Sequence, residues 1–391
     1  MIPKNEIIDV AKERGVQPRI IEKDYILGWM LAAINNLKET QGKWIFKGGT
    51  CLKKCYFREY RFSEDLDFTV TDGYQLNALS LQSIIDNAIN WINQYTGIEI
   101  LKERKKITIK ESLDEQKRYA EIRIYYIGPL EQKRNFEKII LYLSSFEQLF
   151  VKPEKRPILY EYSDFDESIF HASSYCFHEL FAEKLRALIQ RARPRDLYDV
   201  INLYNKRALL DEEIDFLYLL RQKFAHKNVS FEHLWEFSTH LKYQEMLNEW
   251  NSMLAHQLPN LNPIEEYLKD LVHVQEWVKS LEAKSIILPP TIKHEDISIS
   301  HAREYLLKLD ATNGKNLYHI ILSQEFIDNV LTNTLISNNL ESRQRESIEA
   351  IIKKWPFLLP IIRKKFTQNI VENRWADNEY ITTVILHHSD K

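Results

Sequence analysis

Cysteine is scarce: Cys51, Cys55 and Cys176 are the three in 391 residues. They form neither a CxxC pair nor a cluster at metal-ligand spacing, which argues against dithiol redox chemistry and a cysteine-held metal. Cys51 and Cys55, one helical turn apart, read instead as small buried residues on one helix face. Long apolar runs are missing too. No segment reaches the roughly 18 apolar residues of a membrane span. The opening residues Met1-Ile2-Pro3-Lys4-Asn5 hold no positive stretch leading into an apolar run, so the expected location is the cytoplasm, away from membranes. Nor is there an excess of either charge. With 53 Lys and Arg against 56 Asp and Glu, the formal net charge is −3. That excludes a whole-protein attraction to nucleic acid, and any phosphate-binding surface has to be a local patch. Internal repeats and low-complexity tracts are absent as well.

What is present is a globular composition, 44% hydrophobic, 12% aromatic and 28% charged, with a length that calls for a sizeable core and at least one further module. Apolar residues at helical spacing predict two helices within residues 5–40, broken around Gly15 and Pro18. Trp44-Ile45-Phe46 predicts a short strand feeding the turn Lys47-Gly48-Gly49-Thr50 and then a helix. In Asp65-Leu66-Asp67-Phe68-Thr69-Val70 the apolar residues alternate with polar ones, as in a half-buried strand. A helix over residues 79–95 and β-rich stretches over 98–109, 119–127 and 139–146 follow. From Tyr175 onward the pattern is helical: 177–190, 196–204, 211–222 and, with interruptions, 231–279. Pro289-Pro290 marks a linker over 286–300. The expected division is residues 1–206, a helical region 207–285 packed on it, and a helical C-terminal module 299–391.

Two features carry chemistry. A glycine pair between strand and helix lets a backbone approach a phosphate closely and offers the free N–H groups of a helix start. Gly48, Gly49 and Thr50 meet that requirement, although a Gly-Gly turn is more often plain turn chemistry. Asp65 and Asp67, at alternate positions of a strand, project to one side and offer hard oxygens to one or two magnesium ions. Alone, such a pair is also what a solvated strand face looks like. Its separation from the glycine turn, about one helix and a reversal, allows both to meet at one end of a sheet.

Lys47-Gly48-Gly49-Thr50 followed by Arg61-x-Ser63-x-Asp65-Leu66-Asp67-Phe68 resembles the signature of the AbiEii/AbiGii nucleotidyltransferase-like toxin family. Glu22-Lys23-Asp24-Tyr25 resembles the segment that precedes it. Phe181-Ala182-Glu183-Lys184-Leu185-Arg186-Ala187 and Arg195-Asp196-Leu197-Tyr198-Asp199 resemble two later motifs, so the likeness covers roughly residues 18–206. It implies an α+β fold: a DNA-polymerase-β-like nucleotidyltransferase domain with a small mixed sheet, then helices. It also implies transfer of a nucleoside monophosphate from a nucleoside triphosphate to an acceptor, a transfer RNA 3′ end among the candidates. The biological role implied is that of a toxin in a toxin–antitoxin or phage-defence system, with a cognate antitoxin as partner.

By that resemblance Asp65 and Asp67 hold Mg2+ or Mn2+, and Lys47, Gly48, Gly49, Thr50, Arg61 and Ser63 bind the nucleotide. A capping or turn role for Ser63 stays open. Lys184 is the lysine facing the triphosphate, and Asp196 or Asp199 completes the site as a metal-side carboxylate or general base. Read from the residues alone, Glu183 with Arg186 and Asp199 with Arg195 serve equally well as surface ion pairs. Arg186, Arg191, Arg193 and Arg195 form either a phosphate-binding patch or a solvated helix end. The superfamily often places a third carboxylate on a later strand, yet residues 139–146 contain none. Glu121, Asp196 and Asp199 are the candidates for it, and the alternative function is a catalytically inactive nucleotide-binding regulator or an interaction protein. Near the C-terminus, Lys353-Lys354-Trp355-Pro356-Phe357 interleaves cations with aromatics, as a nucleic-acid contact or a helix with snorkelling lysines does.

Overall fold

A computed structural model of the chain describes residues 1–111, 118–210 and 213–286. Two helices come first, α1 (Lys4–Arg14) and α2 (Pro18–Asn36). Pro18 stands at the start of α2, where its missing N–H costs nothing. From Ile21 to Asn35 nearly every α2 residue is buried, because the helix lies against the sheet rather than on the surface.

β1 (Trp44–Lys47) turns through a short helix α3 (Gly48–Cys51), continued by one π turn over Leu52–Tyr56, and returns as β2 (Asp65–Val70). α4 (Ala78–Tyr95) is capped by Asn77, whose side chain accepts the Ser80 N–H at 2.9 Å. Its buried residues Leu81, Ile84, Ile85, Ala88, Ile89 and Ile92 recur at helical spacing. Then come β3 (Glu99–Ile100), β4 (Lys106–Glu111), β5 (Arg118–Ile127), β6 (Glu137–Ser144), β7 (Glu154–Pro157) and β8 (His171–Ser174).

These make one mixed eight-stranded sheet in the order β3-β5-β6-β2-β1-β8-β7, with β4 also paired to β5. β2 runs parallel to β6, and β1 parallel to β8. Ala120, Ile122 and Ile124 of β5, Ile139, Leu141 and Leu143 of β6, and Leu66, Phe68 and Val70 of β2 are buried, under α2 and α4. The alternate residues, Asp65, Asp67, Glu121 and Tyr142 among them, lie half-buried on the opposite face.

The sheet is larger than expected. The stretch 98–109 is broken by a 3-10 turn over Lys102–Arg104 into β3 and β4. β7 and β8, Glu-Lys-Arg-Pro and His-Ala-Ser-Ser, carry little strand propensity and are held by partners distant in sequence.

The helical half contains α5 (Phe177–Arg191), α6 (Pro194–Tyr204), α7 (Glu213–His226), α8 (Tyr243–Leu254) and α9 (Ile264–Ile286). Phe181, Phe216 and Trp277 stack together, with Phe181 and Trp277 centroids 5.8 Å apart and nearly parallel. That cluster ties α5, α7 and α9 into the core of the sheet region. Met1–Glu282 accordingly forms one compact unit, which holds both sides of residue 206. The linker, the module over 299–391 and the Lys353–Phe357 stretch lie outside the described residues. No helix among the described residues is long and apolar enough to cross a membrane.

Candidate active site

The antiparallel register of β1 and β2 sets Lys47 opposite Asp67, so the glycine turn that follows Lys47 sits directly over the Asp67 carboxylate. Gly48 takes φ +82°, in the left-handed region that favours glycine. A Cβ there would collide with the Asp67 side chain, and one on Gly49 would lie 2.5 Å from the Arg61 guanidinium. The glycine pair and the acidic pair are thus brought together, and the lack of side chains is what permits their contact.

Asp65 and Asp67 stand on the open face while Leu66, Phe68 and Val70 are buried behind them. Burial and the neighbouring charges of Asp67 and Glu64 push the Asp65 carboxyl up to about 6. Asp67 is also raised, mainly by burial, against the opposing pull of Lys47, Lys184 and Arg191. Raised carboxyls of this kind, set together on one strand face, are a common feature of functional sites. Among the described residues no group of three or more His, Cys, Asp or Glu side chains could hold a metal. Two hard carboxylates that leave most coordination positions open nevertheless suit a magnesium ion whose other ligands are phosphate and water.

The second acidic pair differs. Asp199 is fully buried and receives Nε and Nη2 of Arg61, each at 2.8 Å, the Lys184 ammonium at 2.7 Å and the Tyr60 hydroxyl at 3.0 Å. Burial raises the Asp199 carboxyl, but Arg61 and Lys184 outweigh it and hold the group well below the usual carboxylate range. Asp196 takes a bidentate contact from Arg191 at 2.6 and 2.8 Å, with Lys184 at 3.8 Å. It too is held low, because Arg191 and Lys184 overcome its burial. Oxygens so fully engaged are poorly disposed to ligate a metal or take a proton. The surface pair of Asp199 with Arg195 does not form, since Asp199 faces Arg61 and Lys184. Glu183 contacts Lys47 at 3.5 Å and Lys223 at 3.4 Å rather than Arg186.

Several expected nucleotide contacts are likewise occupied. Arg61 is 2% exposed and spans from Asp199 to the Gln257 side chain, 3.0 Å away. The Thr50 hydroxyl donates to the Asp65 carbonyl. The Lys47 ammonium lies 3.7 Å from Glu147 as well as near Glu183. Ser63, by contrast, lines a pocket of about 400 Å³ with Arg19, Ile20, Lys23, Glu64, Glu137 and His256. Lys184 is held by Asp199 yet lies close enough to Asp67 to lower its carboxyl. Arg191 is spent on Asp196, and Arg186 donates to Gln190, so the arginine group is partly a set of helix-end ion pairs.

Beside Asp67 on β6 stands Tyr142, and beside Asp65 stands Ile140, so that strand brings no carboxylate to the pair. Glu121 lies one strand further out, opposite Tyr142, and is paired with Arg123 at 2.5 Å. Glu22-Lys23-Asp24-Tyr25 serves to lock α2 in place. Glu22 accepts the Leu130 N–H at 2.6 Å, Asp24 pairs with Lys54 at 2.6 Å, Tyr25 donates to Asp164 at 2.8 Å, and Lys23 reaches Glu64 at 3.0 Å. Sequence reading missed His256, 3.3 Å from Glu64, and Gln257, whose carbonyl accepts the Phe62 N–H at 3.0 Å. Both come from the 3-10 turn Ala255–Gln257 that follows α8, and no local motif marks them.

An open carboxylate pair beside a glycine turn, on a mixed sheet braced by helices, defines a nucleotidyltransferase type of site. Over residues 29–274, more than half of its length, the chain matches the family described as nucleotidyl transferase AbiEii toxin, type IV toxin–antitoxin system. It belongs to that family and is a nucleotidyltransferase. Comparison with curated proteins returns no match. Among solved structures it is similar to JHP933 from Helicobacter pylori, at 18% identity over 69% of this chain and 96% of the other, with a TM-score of 0.44. A second H. pylori structure, described provisionally as a nucleotidyltransferase, aligns at 17% identity over 68% of this chain and 98% of the other, TM-score 0.41.

Proposed function

We propose that the protein transfers a nucleoside monophosphate from a nucleoside triphosphate to an acceptor hydroxyl on RNA, a transfer RNA 3′ end being the first candidate, with release of pyrophosphate. The observation that carries this reading is the pair Asp65 and Asp67 on one strand face, with Asp67 packed against the side-chain-free Gly48–Gly49 turn. Asp65 and Asp67 would hold Mg2+ or Mn2+, which supplies charge neutralisation for the triphosphate when bound. The turn leaves backbone accessible beside Asp67 for the phosphates. Ser63 orients the polyphosphate from the pocket side, and Lys184 faces its developing charge. Asp199 and Asp196 are positioning residues in this reading: they fix Lys184, Arg61 and Arg191, and Lys47 sets the electrostatic level of Asp67. The protein acts as the toxin of a toxin–antitoxin or phage-defence pair in the cytoplasm, restrained by a cognate antitoxin.

A second reading, nucleotide binding without turnover, draws support from Tyr142 and Ile140 standing where a third carboxylate would serve. One experiment separates the two. Wild type and Asp65→Ala/Asp67→Ala protein are incubated with each labelled triphosphate, magnesium and total RNA. Label entering RNA with wild type alone supports transfer and names the nucleotide. Magnesium-dependent triphosphate binding with no labelled RNA supports the second reading.

A further inference from the structure

The sheet face that carries Asp65 and Asp67 continues outward across β6, β5 and β4, where tyrosines and cations join the carboxylates. The paired register aligns Asp67, Tyr142, Glu121 and Thr108 in one row across the strands. Asp65, Ile140, Arg123 and Lys106 form the next, and Tyr119 with Lys110 a third. Cross-strand partners share a face, so these side chains stand together, opposite the side of the buried Ile122 and Leu141 and the partly buried Ile107 and Ile109. Tyr125 and Lys138 pair at the end of the same face. Lys106 and Lys110 are exposed, and Tyr119, Tyr125, Lys138 and Tyr142 are half-buried. Tyr119 and Tyr142 stack, centroids 6.0 Å apart at 23°. Burial raises both hydroxyls, and the carboxylates of Asp65, Asp67 and Glu121 reinforce the shift, so both rings stay neutral.

From β4 to β2 the face is about 14 Å across at ordinary strand spacing. Lys106, Lys110 and Lys138 hold no ion pair among the described residues; Arg123 alone is paired, with Glu121. A half-exposed sheet face with stacked aromatic rings and flanking unpaired cations matches what single-stranded nucleic acid requires: flat surfaces for unstacked bases and positive charge for the backbone. A duplex hides its base faces and gains nothing from the rings. The local cations also answer the near-neutral net charge, which leaves no general attraction to a polyanion.

The geometry points to this face as the platform for the single-stranded end of the acceptor RNA, with Tyr119 and Tyr142 stacking its bases and Lys106, Lys110 and Lys138 contacting its phosphates, so that the terminal hydroxyl runs inward to Asp65 and Asp67. The direction of that run rests on the proposed function; the platform itself does not. The strand approaches from the β4 side, opposite the α5 and α6 side that holds Lys184.

The test is fluorescence anisotropy of the full-length protein with a labelled single-stranded oligouridine, in the absence of triphosphate and metal. Tyr119→Ala/Tyr142→Ala is expected to weaken binding by at least about tenfold, and Tyr119→Phe/Tyr142→Phe to keep wild-type affinity, which separates stacking from misfolding. Lys106→Gln/Lys110→Gln/Lys138→Gln is expected to flatten the dependence of log affinity on log salt by roughly two. Lys242→Gln, on the helical side, leaves it unchanged. Unaltered oligouridine binding by both triple-Gln and double-Ala proteins overturns the platform, as does equal affinity for duplex RNA. So does a tyrosine dependence seen only with a free nucleoside triphosphate, which moves the rings to the nucleotide. If oligouridine binding behaves as expected but no label is transferred to RNA, the proposed function fails and the platform stands. If transfer occurs and the double-Ala protein keeps both its affinity and its KM for acceptor, the platform alone fails.

Discussion

Two pairs of aspartates lie at this site and are treated in opposite ways. Asp196 and Asp199 are buried, and their oxygens are met by Arg191, Arg61, Lys184 and Tyr60, so both carboxyls are held low. Asp65 and Asp67 lie on the open face and are raised. Both pairs stand in motifs of equal prominence, yet the oxygens of one are taken up by cations and a tyrosine, while those of the other stand on the half-buried strand face with their carboxyls raised mainly by burial. In the proposed function the first pair is a brace and the second holds the metal. Buried ion pairs hold geometry at little net gain in stability, but removing one partner strands the other.

The contrast can be broken most directly at Asp199. Asp199→Ala leaves Arg61 and Lys184 buried without their counter-charge and is expected to lower the unfolding free energy by about 3–5 kcal/mol in chemical denaturation. A loss under ~1 kcal/mol would show that the pair is not a brace. Next comes activity. Asp65→Ala/Asp67→Ala is expected to slow nucleotidyl transfer by about 10²–10³-fold, roughly 3–4 kcal/mol at the barrier, with no fall in thermal stability. A drop in melting temperature as large as that of Asp199→Ala would erase the distinction.

A smaller effect sharpens it through pH. Asp65 is an acid whose folded-state value, about 6, lies above its unfolded one, so its ionisation opposes folding and stability rises as pH falls through about 6. In metal-free protein Asp65→Asn should therefore stabilise by ~1 kcal/mol at pH well above 6 and lose that advantage on acidification through about 6. Asp199 has the opposite sign. Its contribution is full above the unfolded value of about 4 and fades as pH falls further. Melting curves across pH on wild type, Asp65→Asn and Asp199→Asn would show the two slopes, and like slopes would refute the assignment. The smallest change is at Lys23. Its ion pair with Glu64 is partly exposed, and Lys23→Met should alter stability by less than ~1 kcal/mol in the same melts.

Much of the strand geometry around the candidate site was legible before the structure. Alternation in residues 65–70 located β2 and the outward face of Asp65 and Asp67 because strand geometry is local. Helical periodicity located α2 and α4 to α6 within a few residues. β7 and β8 were not legible, since Glu154–Pro157 and His171–Ser174 become strands only by pairing with each other and with β1. Nor were the partners of Arg61 or Glu183. Arg61 meets Asp199 across 138 positions of sequence, and Glu183 meets Lys47 across 136, so each pairing is a property of the folded chain.

The sequence by itself determined the type of site: which strand bears two carboxylates, where the backbone is bare of side chains, and which family the chain belongs to. Those depend on residue identity over short spans. Only the tertiary structure decided which charges are free. It assigned Arg61, Lys47 and Thr50 to internal partners, brought His256 beside Glu64, and extended the open face through Tyr142 and Tyr119. The reason is physical: a charged side chain looks the same in sequence whether or not its counter-ion arrives, and that arrival depends on packing between segments far apart along the chain.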